Sequence, residues 1–233
     1  MKIALVTGGG QGLGEVIAKT LAKSGYRVLI HYRTNKEKAF LVQQYCQGLG
    51  CESSLLQADL SIEKEVKGLC SQIKSLDLLV NNVGPYFEGP LSHTDLDDFR
   101  NLIEVNLFAP FALSKELLPL LKKSKGSVVN IGVSGLQGQR AVKISPAYHL
   151  AKGALLSMTK SMAKEMAPYG VRFNMVSPGY MENSVTLPEK IDFVPMKRLA
   201  NLEEVARVVL WLSEQEQNYI CGQNIEVAGG FAL

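Results

Sequence analysis

Ile3-Ala-Leu-Val-Thr-Gly-Gly-Gly-Gln-Gly-Leu-Gly14 is the stretch that decides the fold. Ile3 to Val6 is a short continuous apolar run, the pattern of a strand covered on both faces. It ends in Thr7 and a cluster of glycines, after which apolar residues recur at helical spacing from Glu15 to Ser24 and stop at Gly25. Strand, glycine turn and helix follow one another directly.

Such a turn lets the backbone approach a pyrophosphate, and the helix behind it offers unpaired N–H groups and the positive end of its dipole. The alternative is a flexible turn that needs positive φ at one or two positions. The strand-turn-helix context favours the phosphate reading. Gly8, Gly12 and Gly14 give Thr-Gly-x-x-x-Gly-x-Gly, which departs from the three-glycine spacing of ordinary Rossmann dehydrogenases.

The alternation continues outward. Further strands are predicted at Arg27–Tyr32, 53–58, 76–80, Ser127–Ile131, 172–176 and 223–227. Helical patterns lie between them at about 36–48, 62–75, 96–123 (with Pro110 inside) and onward from Tyr148 to Met166. Apolar runs without alternation are what doubly buried strands look like. The expected architecture is a doubly wound, Rossmann-like α/β fold: about seven parallel strands, helices on both faces, one domain over residues 1–233. Residues 179–195 lack periodicity and are a candidate functional loop.

With 233 residues, 46% of them apolar and 20% charged, the chain can bury one large core. A net charge of +3 without a dense Lys/Arg run speaks against nucleic-acid binding. Lys122, Lys123 and Lys125 read as a solvated helix end. Cys46, Cys51, Cys70 and Cys221 show neither Cys-x-x-Cys spacing nor neighbouring histidines, so no metal site is expected, and free thiols suit a cytoplasmic location. No apolar run approaches the ~18–20 residues needed to span a bilayer.

Two features carry chemistry. Tyr148 and Lys152 stand four apart and share a helix face. A phenol with its ordinary pKa near ~10 is a poor acid or base at neutral pH, and a neighbouring ammonium would lower that pKa. Alone, such a pair is more often a solvated surface pair; the glycine turn changes that balance. At the end of the second strand an acidic residue would bind ribose hydroxyls and repel a 2′-phosphate. Tyr32 and then Arg33 stand there instead, and the arginine fork suits phosphate, so NADP(H) is favoured over NAD(H).

The glycine pattern, Asn81-Asn-Val-Gly84, Asn106, Tyr148-x-x-x-Lys152 and Ser177-Pro-Gly179 together resemble the short-chain dehydrogenase/reductase family, in order along nearly the whole chain. Within it the chain is most similar to bacterial 3-oxoacyl-acyl-carrier-protein reductases, on its length, on residues 195–206 and on the ending Gly222-Gln-Asn-Ile-Glu-Val-Ala-Gly-Gly230. The resemblance implies an NADPH-dependent carbonyl reductase acting on a 3-oxoacyl thioester held by acyl carrier protein, in fatty acid synthesis. It also implies a homotetramer built through the helices that carry Asn106 and Tyr148. Pteridine reductase is an alternative, suggested by His31-Tyr-Arg33 and a non-serine at position 133; a nucleotide-binding protein with little turnover is another.

By the same resemblance Gly8, Gly10, Gln11, Gly12, Leu13 and Gly14 would hold the cofactor's pyrophosphate side. Asp59 would bind adenine, with Leu60 beside it, and Asn82, Val83 and Gly84 would line the adenosine ribose. Asp59 could equally cap the next helix, although Ser61 is the closer cap candidate. Val83 stands where the family usually has alanine. Pro178 and Gly179 would close over the nicotinamide, Tyr148 would be the acid, Lys152 would bind the ribose, and Asn106 would anchor a water relaying protons. The family's serine is expected one past Gly132, where this chain has Val133 followed by Ser134; Ser134 is the candidate replacement. Substrate recognition is expected from residues 180–198, through Tyr180, Met181, Phe193 and Met196, opposite Pro85, Tyr86 and Phe87.

Overall fold

The computed structural model describes residues 1–138, 141–185, 187, 191–214, 216 and 218–231. Seven strands form one parallel sheet: β1 (Ile3–Val6), β2 (Arg27–Tyr32), β3 (Ser53–Gln57), β4 (Leu78–Asn81), β5 (Ser127–Ile131), β6 (Arg172–Pro178) and β7 (Asn224–Val227). Their order across the sheet is β3-β2-β1-β4-β5-β6-β7. The order reverses between β1 and β4, which pair with Ala4 opposite Leu78 and Val6 opposite Val80. Ligands of open parallel sheets sit at such a reversal, beyond the carboxyl ends of the strands.

The helices are α1 (Gly12–Lys23), α2 (Lys36–Gly48), α3 (Glu63–Ser71), α4 (Leu96–Ile103), α5 (Ala109–Ser124), α6 (Pro146–Met166) and α7 (Leu202–Ser213). Alternate residues of each strand face opposite layers. Ala4, Val6, Ile30 and Val80 pack against Ile17, Leu21, Val42 and Val209 of α1, α2 and α7. Leu5, Leu29, Leu79 and Val128 pack against Leu69, Leu113, Leu117 and Met162 of α3, α5 and α6. Every residue of β4, β5 and β6 is buried, which is why these segments lack the polar–apolar alternation of a half-exposed strand, and their buried Asn81 and Asn130 pair with each other at 2.8 Å.

Helix α7 is absent from the sequence expectation. It starts at a capping box, Asn201 with Glu204, and buries Leu202, Val205, Ala206, Val209 and Leu212 along one stripe. Asp59 does not cap α3, and neither does Ser61. The N-cap position belongs to Ile62, while the amide and hydroxyl of Ser61 donate to Asp59 Oδ1 at 3.0 and 2.7 Å.

Helices α4 and α5 are joined by one wide turn over Glu104–Phe108, in which the Ala109 N–H donates to the Glu104 carbonyl five residues back. Pro110 is the cause: it has no N–H to give the Asn106 carbonyl and would clash with it in a regular helix. The insertion re-aims Asn106 inward, where it is fully buried.

Candidate active site

Thr7, at the mouth of β1, ties the reversal together. Its Oγ1 accepts the N–H groups of Asn82 at 2.8 Å and Val83 at 3.0 Å and donates to Val80 O at 3.2 Å, while Asn82 Nδ2 donates to Thr7 O at 2.9 Å. The glycine turn folds tightly over this knot. Gly8 adopts φ +64° and Gly12 +56°, and a Cβ on Gly14 would lie 2.2 Å from Gly8 O. The α1 N-terminus receives no side-chain cap, so its leading N–H groups remain available to an anion.

The other expected cofactor residues divide. Gly12 meets only Asn183 Nδ2 near a built Cβ, and Leu13, Asn82, Pro178 and Gly179 line the cleft. Val83 packs beside Gly8, and Gly84 lies under Asn106 and Lys152. Gly10 faces Ala39 of α2, where a Cβ would be 2.9 Å from the alanine methyl, and Gln11 is the extended N-cap of α1. Leu60 is buried in the sheet's second core, so its contact is with the protein interior. Asp59 and Arg33 meet at 3.9 Å on the rim, with the arginine side chain 64% exposed. Hydrogen bonds from Ser61, and then the nearby Arg33, hold the Asp59 carboxyl below its usual range.

A cleft of about 490 Å³ opens beyond the ends of β4, β5 and β6. Tyr148, in the first turn of α6, stands half-buried in its wall with its ring edge-on to Tyr86 (centroids 5.2 Å, interplanar 75°). One turn deeper, Lys152 is 2% exposed and its Nζ donates to Ile131 O at 2.8 Å. The lysine's other neighbour is Asn106, whose Nδ2 donates to Pro85 O at 3.0 Å and whose buried Oδ1 has no partner among the described residues.

The electrostatics correct the sequence expectation. Lys152 Nζ lies 5.6 Å from the Tyr148 ring centroid, and burial is the leading cause of the shift at both groups. Desolvation pulls the lysine down to about 7. Desolvation, reinforced by Tyr86, pushes the Tyr148 phenol above its ordinary value rather than below it.

Both Val133 and Ser134 line the cleft. The loop carrying them is pinned at three points: Gly132 N–H to Val176 O (2.8 Å), Ser134 N–H to Pro178 O (2.9 Å) and Gly135 N–H to Glu226 Oε1 (3.0 Å). Of the expected substrate residues, Tyr86, Tyr180 and Met181 line the cleft, whereas Pro85, Phe87, Phe193 and Met196 do not. Phe193 instead braces Tyr180 and Phe231 in an edge-on aromatic triangle, with centroids 5.3 to 5.5 Å apart. Residues 186 and 188–190 of the expected recognition loop lie outside the described residues.

His149, Ser145, Asn183 and Phe231 also border the cleft and were not singled out from the sequence. His149 follows Tyr148 directly, and its Nδ1 lies 3.0 Å from Ser145 O and 3.1 Å from Ser145 Oγ. Phe231 comes from the far end of the chain, where no periodic signal points to it. No helix among the described residues is long and apolar enough to cross a membrane.

A glycine turn at the sheet's reversal, facing a cleft whose wall carries Tyr148 with Lys152 buried behind it, defines an oxidoreductase of the doubly wound class. This chain belongs to the short-chain dehydrogenase/reductase family. A family model described as enoyl-(acyl carrier protein) reductase matches residues 8–232. The chain is 35% identical to an uncharacterized oxidoreductase, YmfI, of Bacillus subtilis, over 99% of this chain and 98% of that one. It is also 35% identical to the 3-oxoacyl-[acyl-carrier-protein] reductase FabG of Buchnera aphidicola, over 100% and 98% of the two chains. Among solved structures, a short-chain dehydrogenase of Burkholderia cenocepacia in complex with NADP superposes with a TM-score of 0.92 at 28% identity, covering 98% of this chain and 97% of that one.

Proposed function

We propose that this protein is an NADPH-dependent carbonyl reductase whose proton donor is Tyr148. The observation that carries the reading is the placement of Tyr148 and Lys152 on successive turns of α6, at the wall of a cleft that begins at the glycine turn. The residues fit a dinucleotide. A built Cβ shows that Gly8, Gly14 and Gly84 leave no room for side chains, and the bare α1 N-terminus suits a pyrophosphate. Arg33, with most of its guanidinium in solvent, is available to a 2′-phosphate. The NADP complex of the Burkholderia cenocepacia relative supports the same nucleotide.

When bound, the nicotinamide supplies hydride to the substrate carbonyl. Tyr148 gives its phenolic proton to the oxygen that becomes alkoxide; burial holds its pKa up, so the strongly basic alkoxide, rather than a lowered phenol pKa, draws the proton across. Lys152 and the unpartnered Oδ1 of Asn106 lie together behind the tyrosine, where a water between them would return a proton. Ser134, which lines the same cleft, supplies a second donor to the carbonyl, in the role Val133 cannot fill.

The substrate reading is a 3-oxoacyl thioester on acyl carrier protein, supported by the FabG relatives and by a cleft open enough for a tethered chain. Lys122, Lys123 and Lys125 offer an acidic carrier a docking edge; Lys122 is held over the Tyr169 ring at 3.7 Å. Exposed Phe108, Phe111 and Leu150 on the α4–α6 side support a homotetramer. A dihydropterin is the second reading, because Tyr86, Tyr180 and Phe231 give the cleft flat aromatic walls. Assaying NADPH and NADH with acetoacetyl thioester and with dihydropterin tests both. Thioester reduction with NADPH preferred is expected. Turnover of dihydropterin alone selects the second reading. Tight NADPH binding without oxidation by any carbonyl would leave a nucleotide-binding protein.

A further inference from the structure

His31 is 1% exposed at the sheet's switch point and takes no part in the proton chemistry. Its ring bridges two segments that are distant in sequence. Nε2 lies 3.0 Å from Ala58 O, which can only accept, so Nε2 carries the hydrogen. Nδ1 is then a lone-pair acceptor, and the Gly8 N–H donates to it at 3.0 Å. The His31 carbonyl accepts the next N–H of the turn, from Gly9, also at 3.0 Å. One residue therefore fixes two consecutive amides of the glycine turn and the exit of β3, immediately before Asp59.

Gly8 needs this support because its φ of +64° is reachable by other routes that a free glycine would sample. With its N–H anchored, the turn presents only the later amides and the α1 N-terminus outward.

We infer that His31 is a positioning residue for the cofactor: it locks the pyrophosphate turn to the adenine-side wall, so nucleotide affinity depends on its neutral ring. This rests on the reading of the glycine turn as the dinucleotide site. The ionisable groups around this end of the strands are Asp59, Arg33 and Glu65, the last through its bond to the Asp59 N–H. Thr7 to Gly14, β1 and β3 contribute none. Burial lowers the His31 pKa, opposed by its bond to Ala58 and by Asp59. At neutral pH the ring can accept from Gly8, and as pH falls the protonated ring cannot.

The experiment is calorimetric titration of NADP⁺ into wild type, His31→Asn and His31→Phe between pH 5 and 8. An asparagine Oδ1 stands near the place of Nδ1 and cannot be protonated there. Wild type is expected to lose affinity toward acid pH more steeply than His31→Asn. The nucleotide's own phosphate ionisation is common to both and cancels. His31→Phe is expected to raise the dissociation constant roughly 10-fold at pH 7.5, with the loss falling on cofactor KM far more than on kcat. Where ¹⁵N NMR shows His31 protonated within this range, equal acid dependence in wild type and His31→Asn overturns the inference, as does unchanged NADP⁺ affinity at pH 7.5 in a folded His31→Phe. If His31→Phe does not fold, the comparison with His31→Asn decides alone. Wild type that fails to bind NADP⁺ at any pH overturns the dinucleotide reading itself.

Discussion

Lys152 Nζ and Asn106 Oδ1 converge on the backbone of Gly84: a Cβ built there would lie 3.0 Å from the first and 2.3 Å from the second. The glycine is required by space alone, since the lysine, the asparagine and the β4 exit share one small volume. Gly84→Ala must push Asn106 or Lys152 out of place. The expected outcome is a fall in kcat on the order of 10²-fold, the scale of a misplacement near 1 Å, in a protein that still folds. Steady-state kinetics beside a circular-dichroism melt checks it; wild-type turnover would show that the convergence is not needed.

Thr7 supports the same region mechanically. Its hydroxyl satisfies the N–H groups of both Asn82 and Val83. Thr7→Val keeps the shape but strands two enclosed donors, which should destabilise the fold by about 2–4 kcal/mol. Thr7→Ser should recover most of this. Urea unfolding midpoints measure both variants.

Much of this was legible in the chain. Strands covered on both faces leave apolar clusters without alternation, so β1, β2 and β5 fall where the sequence places them. Helix α7 escaped although Asn201, Glu204 and the Leu202 to Leu212 stripe carried its signal, because it follows an aperiodic loop. At the site, the order of motifs brings Gly84, Asn106, Tyr148 and Lys152 together. Glu226 and Phe231 carry no signal in the sequence, and His31 stands out there only as part of His31-Tyr-Arg33, because each acts across the sheet or from a segment distant in sequence. The Tyr148 shift runs opposite to the sequence expectation for a related reason: helix spacing gives proximity, whereas burial is a property of the whole fold.

Burial of Lys152 makes stability depend on pH. Its folded-state pKa of about 7 lies below the ordinary lysine value of 10.5. Between those values the unfolded chain holds a proton that the folded one has released, so stability rises with pH across that window; below about 7 both states are protonated and the full cost of the buried ammonium remains. The slope from this group approaches about 1.4 kcal/mol per pH unit. Lys152→Met should be the more stable protein near pH 7, and its advantage should shrink as pH rises toward 10. Melting temperatures of the two proteins without nucleotide, over pH 6.5 to 10, check this; a constant difference would mean that the lysine stays charged in the fold.

The Gly135 N–H bond to Glu226 Oε1 determines where Ser134 sits, because it anchors the loop one residue beyond the serine. If Ser134 replaces the serine expected at Val133, its loss removes one donor to the developing oxyanion, and Ser134→Ala should lower kcat on the order of 10²-fold with cofactor KM little changed. Glu226→Ala should act on the same step more weakly, by releasing the loop, whereas Glu226→Gln keeps an amide oxygen that can accept the Gly135 N–H and should retain most of the turnover. A carbonyl-reduction assay of the three variants at saturating nucleotide measures the ranking. Unchanged turnover in Ser134→Ala would remove the serine from the chemistry and leave Tyr148 as the sole group on the carbonyl oxygen. A Glu226→Gln variant as impaired as Glu226→Ala would show that the carboxylate's charge, rather than its hold on the loop, is what matters.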